Sequence, residues 1–259
     1  MRRFTLFRAH QTVMHAAVLM SALSDEKFRA PSVQFYASLF SHFLGLHALG
    51  MEAEIQTVQL NRTFEEMVKR GMCTSTRIGG KREYELTAEG LYHFLLGLTE
   101  TDHLLDLGEI SFTRFILMHY KEFITDKIKS KKSDFVIDEQ KLQVNYFLQK
   151  QLHFVSEAFR DTQARIDQYV EYENFVESNK GSADSWSSLT KEFAKRFVYP
   201  LAHRKPLNAL INSLPNLYQR YELENGFKNR RLDFLNYLVE ILIHKRHFIE
   251  GLMEPKALP

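Results

Sequence analysis

Apolar residues cover wide arcs of the first two segments of the chain. HQTVMHAAVLMSALS (10–24) and PSVQFYASLFSHFLGLHALG (31–50) read as two helices apolar over most of their circumference, as buried helices are. Pro31 is placed as the first residue of the second. A third helix is predicted from about Glu54 to Arg70, with Val58, Leu60, Phe64, Met67 and Val68 as its stripe and Gly71 as its C-terminal glycine. The pattern then changes. Residues 72–78 and 81–86 are short runs rich in Thr, Tyr and Ile around Gly79-Gly80, and Gly-Gly supplies the positive φ angles of a two-residue hairpin turn. Counting outward pairs Ile78 with Lys81, Arg77 with Arg82, Ser75 with Tyr84 and Cys73 with Leu86. In that register Cys73, Tyr84 and Leu86 share the core face. Thr87 is then the N-cap of the helix AEGLYHFLLGL.

From about residue 100 the pattern is helical throughout. Residues 109–132 have an apolar face at 112, 115, 116, 119, 120, 123 and 124 and end in lysines. A long helix is predicted from Asp138 to about Ser178. Along it Leu148, Leu152, Val155, Phe159, Thr162, Ile166 and Tyr169 alternate spacings of four and three, a heptad-like seam that fits either a dimer contact or the chain's own core. NKGSADSWSS (179–188) is a loop, shorter helices break near Pro206 and Pro215, and a last helix runs from about Asn229 to Leu252. The fold class expected is mainly α. A first domain over residues 1–99 contains the hairpin, and residues 100–259 form an all-helical bundle with one long helix.

Composition narrows the function without naming it. The 259 residues are 44% apolar and 13% aromatic, enough for a packed core, and the net charge is only +2, so a polyanion would have to be met by a local patch. A single cysteine, Cys73, excludes an internal disulfide and a zinc-type cysteine pair. His10, Gln11 and His15 interrupt the apolar N-terminal run, which does not read as a signal peptide. No run of eighteen apolar residues suggests a membrane span. A cytoplasmic location is expected.

The search for reaction chemistry is unrewarding. Glu100-x-x-His103 is half of a di-iron helical signature without its second half. His244 and His247 share a helical face beside Lys245 and Arg246, which repel a cation, and His42 and His47 lie in an apolar helix. Asp134, Glu139 and Lys141 match the carboxylate and lysine set of magnesium-dependent nucleases in type, but they lead into a helix rather than lying on a sheet. No phosphate-binding glycine loop, nucleophile elbow or Cys/His pair is present. No enzyme activity, metal or cofactor is expected. The basic clusters at 127–132, 203–205, 228–231 and 244–247 read either as solvated helix ends or as an extended phosphate-binding surface.

Three helices, the third ending in glycine, then a hairpin and a helix opened by Leu-Thr-Ala-Glu-Gly, is the order of a winged helix-turn-helix. Thr57 to Gly90 resembles MarR-type bacterial regulators: Lys69, Arg70, Gly71 and Met72 stand at the end of the recognition helix, and Leu86, Thr87 and Gly90 close the wing. The resemblance implies double-stranded DNA as partner and a homodimer matched to two half-sites. It places the basic wing tip, Arg77, Lys81 and Arg82, on phosphates, and Gln56, Thr57, Gln59, Arg62 and Thr63 of the recognition helix nearest the bases. Arg77 and Arg82 face each other across the strands, a repulsion that a polyanion would relieve. Glu52, Glu54, Glu65 and Glu66 oppose phosphate approach on the same helix. The layout is also similar to the N-terminal part of MukF-type kleisins, which implies the competing class: a protein-interaction scaffold whose winged helix holds another protein.

Overall fold

The computed structural model describes residues 11–45, 56–131, 136–178 and 217–253. Among them the chain is mainly α-helical, with one two-stranded antiparallel hairpin after three helices. The described residues fall in two compact units, one ending at Gln151 and the other beginning at Leu152.

The hub of the first unit is α1 (Gln11–Ser24), ten of whose fourteen residues are buried. It packs on α2 (Ala30–Phe43), on α4 (Ala88–Thr99) and on α5 (Leu107–Ser130). The all-round apolar pattern of α1 thus means burial, as expected, whereas the similar pattern of α2 does not. Helix α2 buries the small residues Ala30, Val33, Ala37 and Ser41 and turns Phe35, Leu39 and Phe43 outward. Small residues permit close approach to α1, and the bulky ones stay exposed on the opposite side. Residues 46–50, where the sequence pattern continues, lie outside the described residues.

Helix α3 spans Thr57–Lys69 and buries Leu60, Phe64 and Met67. Gly71 ends it at φ 75°, a left-handed position that suits glycine. The hairpin follows as β1 (Cys73–Ile78) and β2 (Lys81–Leu86), in the register read from the sequence, Arg77 opposite Arg82 and Cys73 opposite Leu86. Gly79 and Gly80 turn at φ 57° and 78°. Cys73, Tyr84 and Leu86 are buried. One strand contact goes beyond the sequence reading: Phe28, between α1 and α2, pairs with Tyr84, each amide donating to the other's carbonyl at 2.9 and 2.8 Å. The rings of Phe28, Phe64 and Tyr84 then pack edge-on or tilted against one another, with centroids 4.9 to 6.3 Å apart, and such pairs contribute about 1 kcal/mol each beyond burial. They pin the hairpin to α3.

The Leu86-Thr87-x-x-Gly90 sequence has a steric cause. Thr87 Oγ1 accepts from the Gly90 amide at 3.1 Å and donates to the Gly71 carbonyl at 2.9 Å, capping α4 and fastening it to the end of α3. A Cβ on Gly90 would lie 1.9 Å from the Met72 carbonyl oxygen.

Helix α5 opens two residues before the expected position, on a capping box formed by Asp106 and Glu109. A 3-10 turn at Glu139–Leu142 precedes the long α6 (Val144–Ser178). The first turns of α6 fasten to the segment after α4. Gln151 accepts from the Leu105 amide at 3.0 Å and donates to Thr101 Oγ1 at 2.9 Å, and Glu100 takes bonds from Tyr146 and Lys150. Residues 100–151 therefore pack with the N-terminal elements, whereas the sequence pattern places the change of domain at 99/100. In the second unit, α7 (Leu217–Met253) buries Leu235, Leu242 and Ile249 at seven-residue intervals, and Arg231 hydrogen-bonds Tyr169 of α6. The loop expected at 179–188 and the breaks near Pro206 and Pro215 lie outside the described residues.

Candidate nucleic-acid interface

The first half of α3, the N-terminus of α2 and the hairpin tip form a cleft of about 470 Å³ lined by Arg29, Pro31, Thr57, Asn61, Glu65, Arg77, Lys81 and Arg82. Chain order alone would not bring these together. The Phe28–Tyr84 bridge carries the start of α2 to the hairpin, and Tyr84 Oη, donating to Asn61 Oδ1 at 3.2 Å, holds α3 there.

Of the residues expected at the site, Thr57, Arg77, Lys81 and Arg82 line this cleft. Thr57 Oγ1 donates to Gln34 Oε1 of α2 at 3.0 Å. Gln56 caps α3 with extended backbone, and its carbonyl accepts from the Gln59 and Leu60 amides. Gln56, Gln59 and Arg62 are exposed on the outer face of α3, outside the cleft lining. Thr63 is half-buried and its hydroxyl donates back to the Gln59 carbonyl at 3.0 Å. Glu52 and Glu54 lie outside the described residues.

The cations separate into two groups. Arg82 pairs with Glu65 of α3, and Arg29 with Glu83 of β2. The repulsion expected between Arg77 and Arg82 is thus met inside the chain, because Glu65 stands one helix face away from the hairpin. Arg77 and Lys81 are exposed and, among the described residues, enter no ion pair. At the other end of α3, Lys69 and Arg70 both approach Glu66. Neither Arg29 nor the pairing of Glu65 is legible in the sequence, because both depend on long-range contacts.

Several of the other candidate residues make contacts within the fold. Lys127 donates to the Ala22 carbonyl, Lys129 pairs with Glu139 at 3.1 Å and Lys131 with Glu85 at 2.5 Å, so these three lysines of the cluster are engaged within the fold, while Lys132 lies outside the described residues. Glu139 is thereby taken by Lys129, and Lys141 lies 3.8 Å from Asp138. Asp134, His47 and the cluster at 203–205 lie outside the described residues. His103 contacts Asp102, while Glu100 binds Tyr146 and Lys150. Among the described residues no group of three or more His, Cys, Asp or Glu is placed to hold a metal ion, and no helix is long and apolar enough to cross a membrane. Burial pushes the Cys73 thiol up to about 12, which leaves it an inert core group.

Comparison with protein-family models, with curated proteins and with solved structures finds no match to this chain.

Proposed function

We propose that the chain is a non-enzymatic DNA-binding protein of winged-helix type, acting in the cytoplasm as a transcriptional regulator and as a homodimer on two half-sites. The hairpin is the wing, with Phe28 as its short third strand, and α3 is the recognition helix. The observation that carries this reading is the cleft itself: it sets Arg77 and Lys81, exposed and without an ion pair among the described residues, beside the first turn of α3.

Under this reading Arg77 and Lys81 lie on phosphates, which position the protein, while Gln56, Gln59 and Arg62 face base edges, which specify the site. Arg82 orients the hairpin through Glu65 and is second to them in phosphate contact. Replacing Arg77 and Lys81 together by alanine tests the assignment. Binding to all duplex sequences is expected to weaken alike, and the salt dependence to flatten by about one unit of slope per cation removed. Unchanged affinity and slope would remove the wing from the interface.

A further inference from the structure

The outward face of α2 is apolar and uncharged. Its fourteen residues include no Asp, Glu, Lys or Arg, and Phe35, Leu39 and Phe43, spaced four apart on one stripe, are 64%, 47% and 75% exposed. The stripe is continuous with α5. Phe43 and Phe40 both touch the ring of Phe112, at centroid distances of 6.3 and 5.0 Å. Phe115 and Met118, about half exposed, follow within two turns. At roughly 200 Å² for a fully exposed large side chain, these residues present on the order of 500 Å² of apolar surface, near the upper end for a monomer's largest patch.

We infer that a second copy of this chain covers the face, the two α2 helices crossing about a two-fold axis. In a two-fold contact the residues at the axis meet their own copies, so a charge there would meet its own sign. A helix with no charged side chain is free of that repulsion. With a polar rim from Ser32, Ser38 and His42, the patch approaches the ~800 Å² per partner of a standard interface. The competing seam on α6 is taken up in part, with Leu148, Val155 and Thr162 buried within their own chain and Phe159 36% exposed. The inference deepens the homodimer reading above and gives it a use: α2 begins at the DNA-facing cleft and ends in the apolar face, so pairing through it fixes the spacing of two wings.

The test is mass in solution without DNA, by sedimentation at protein concentrations up to about 50 µM. A dimer is expected for the unmodified chain, and a monomer of unchanged helical circular dichroism and melting temperature for Phe35→Ser combined with Leu39→Glu. Single Phe35→Cys, Leu39→Cys and Phe43→Cys variants provide a second readout, because Cys73 is buried and the new thiol is the accessible one. At least one should form a disulfide-linked dimer under mild oxidation. A monomeric unmodified chain, a dimer that survives the double substitution, or no cross-link at any of the three positions overturns the proposal, as does a monomer that retains a different protein through this face. A patch-dependent dimer that fails to bind DNA leaves the contact standing and refutes only the DNA reading.

Discussion

Glu65 of α3 pairs with Arg82 of β2, the residue directly opposite Arg77 across the hairpin. The pair ties the hairpin to α3 and withdraws one cation from the cleft. Both side chains are nearly half exposed, so its worth to stability is at most about 1 kcal/mol. Its effect on an approaching polyanion is larger, because Glu65 is also the carboxylate in the cleft lining. Glu65→Gln is expected to raise affinity for any DNA duplex several-fold and to steepen the salt slope by about one, with little change in melting temperature. Fluorescence anisotropy at several salt concentrations checks it; weaker binding would mean that the pair's orienting role outweighs its charge.

Gln59 and Arg62 sit on the exposed face of α3, opposite Leu60, Phe64 and Met67. Substituting either with alanine is expected to change which duplexes are preferred, at about 1 to 3 kcal/mol at the affected base pair, with the salt slope almost constant. Selection from a randomised duplex pool, run in parallel on parent and variant, reads this. Identical pools would exclude these two side chains from base contact.

The close approach of Gly90 to the Met72 carbonyl makes it the least replaceable glycine of the hairpin–α4 junction. Gly90→Ala must move backbone, and a loss of about 2 kcal/mol or more is expected. Gly251, in α7 with no atom within 4 Å of an added Cβ, is the control: Gly251→Ala should be neutral or stabilising by up to about 1 kcal/mol. Urea midpoints of the two variants give the contrast.

His15 lies buried in α1 against Phe94 and Gly97 of α4, beside the ring of His93, and among the described residues neither ring nitrogen finds a partner. Burial first, then His93, pushes it from 6.5 down to about 3. Between those values the unfolded chain holds a proton that the folded chain refuses. Stability present above pH 6.5 is therefore lost as pH falls, by up to about 1.4 kcal/mol per unit until pH nears 3. His93 is lowered by its own burial, with Glu89 opposing and Arg70 reinforcing the shift, and adds in the same direction. Melting temperatures from about pH 7.5 to about pH 4 should fall steeply for the parent and less for His15→Leu; equal slopes would mean that other groups set the acid limit.

Local rules carried most of the fold. Gly79-Gly80 set the hairpin register, Thr87 capped α4, and the glycine at 71 stopped α3, because each of these depends on backbone geometry within a few residues. What needed distant partners was not legible. The Phe28–Tyr84 bridge joins residues 56 apart by their numbering, and nothing in DEKFRA marks a strand. The outward face of α2 misled for a related reason: Phe35, Leu39 and Phe43 satisfy the pattern of a buried helix, and only the packing on α1 through Val33 and Ala37 reveals that they are left over. Of the candidate site, Arg77, Lys81 and Arg82 were readable as a basic tip, whereas their closeness to Thr57, Arg29 and Glu65 required the fold.

Under the proposed function the hairpin and α3 together face double-stranded DNA. The most direct test is titration of the unmodified protein against a random duplex of about 30 base pairs at two salt concentrations. Binding in the micromolar range that weakens steeply with added salt is the predicted result. No binding even at the lower salt would contradict it, and would point to a surface that holds a protein instead.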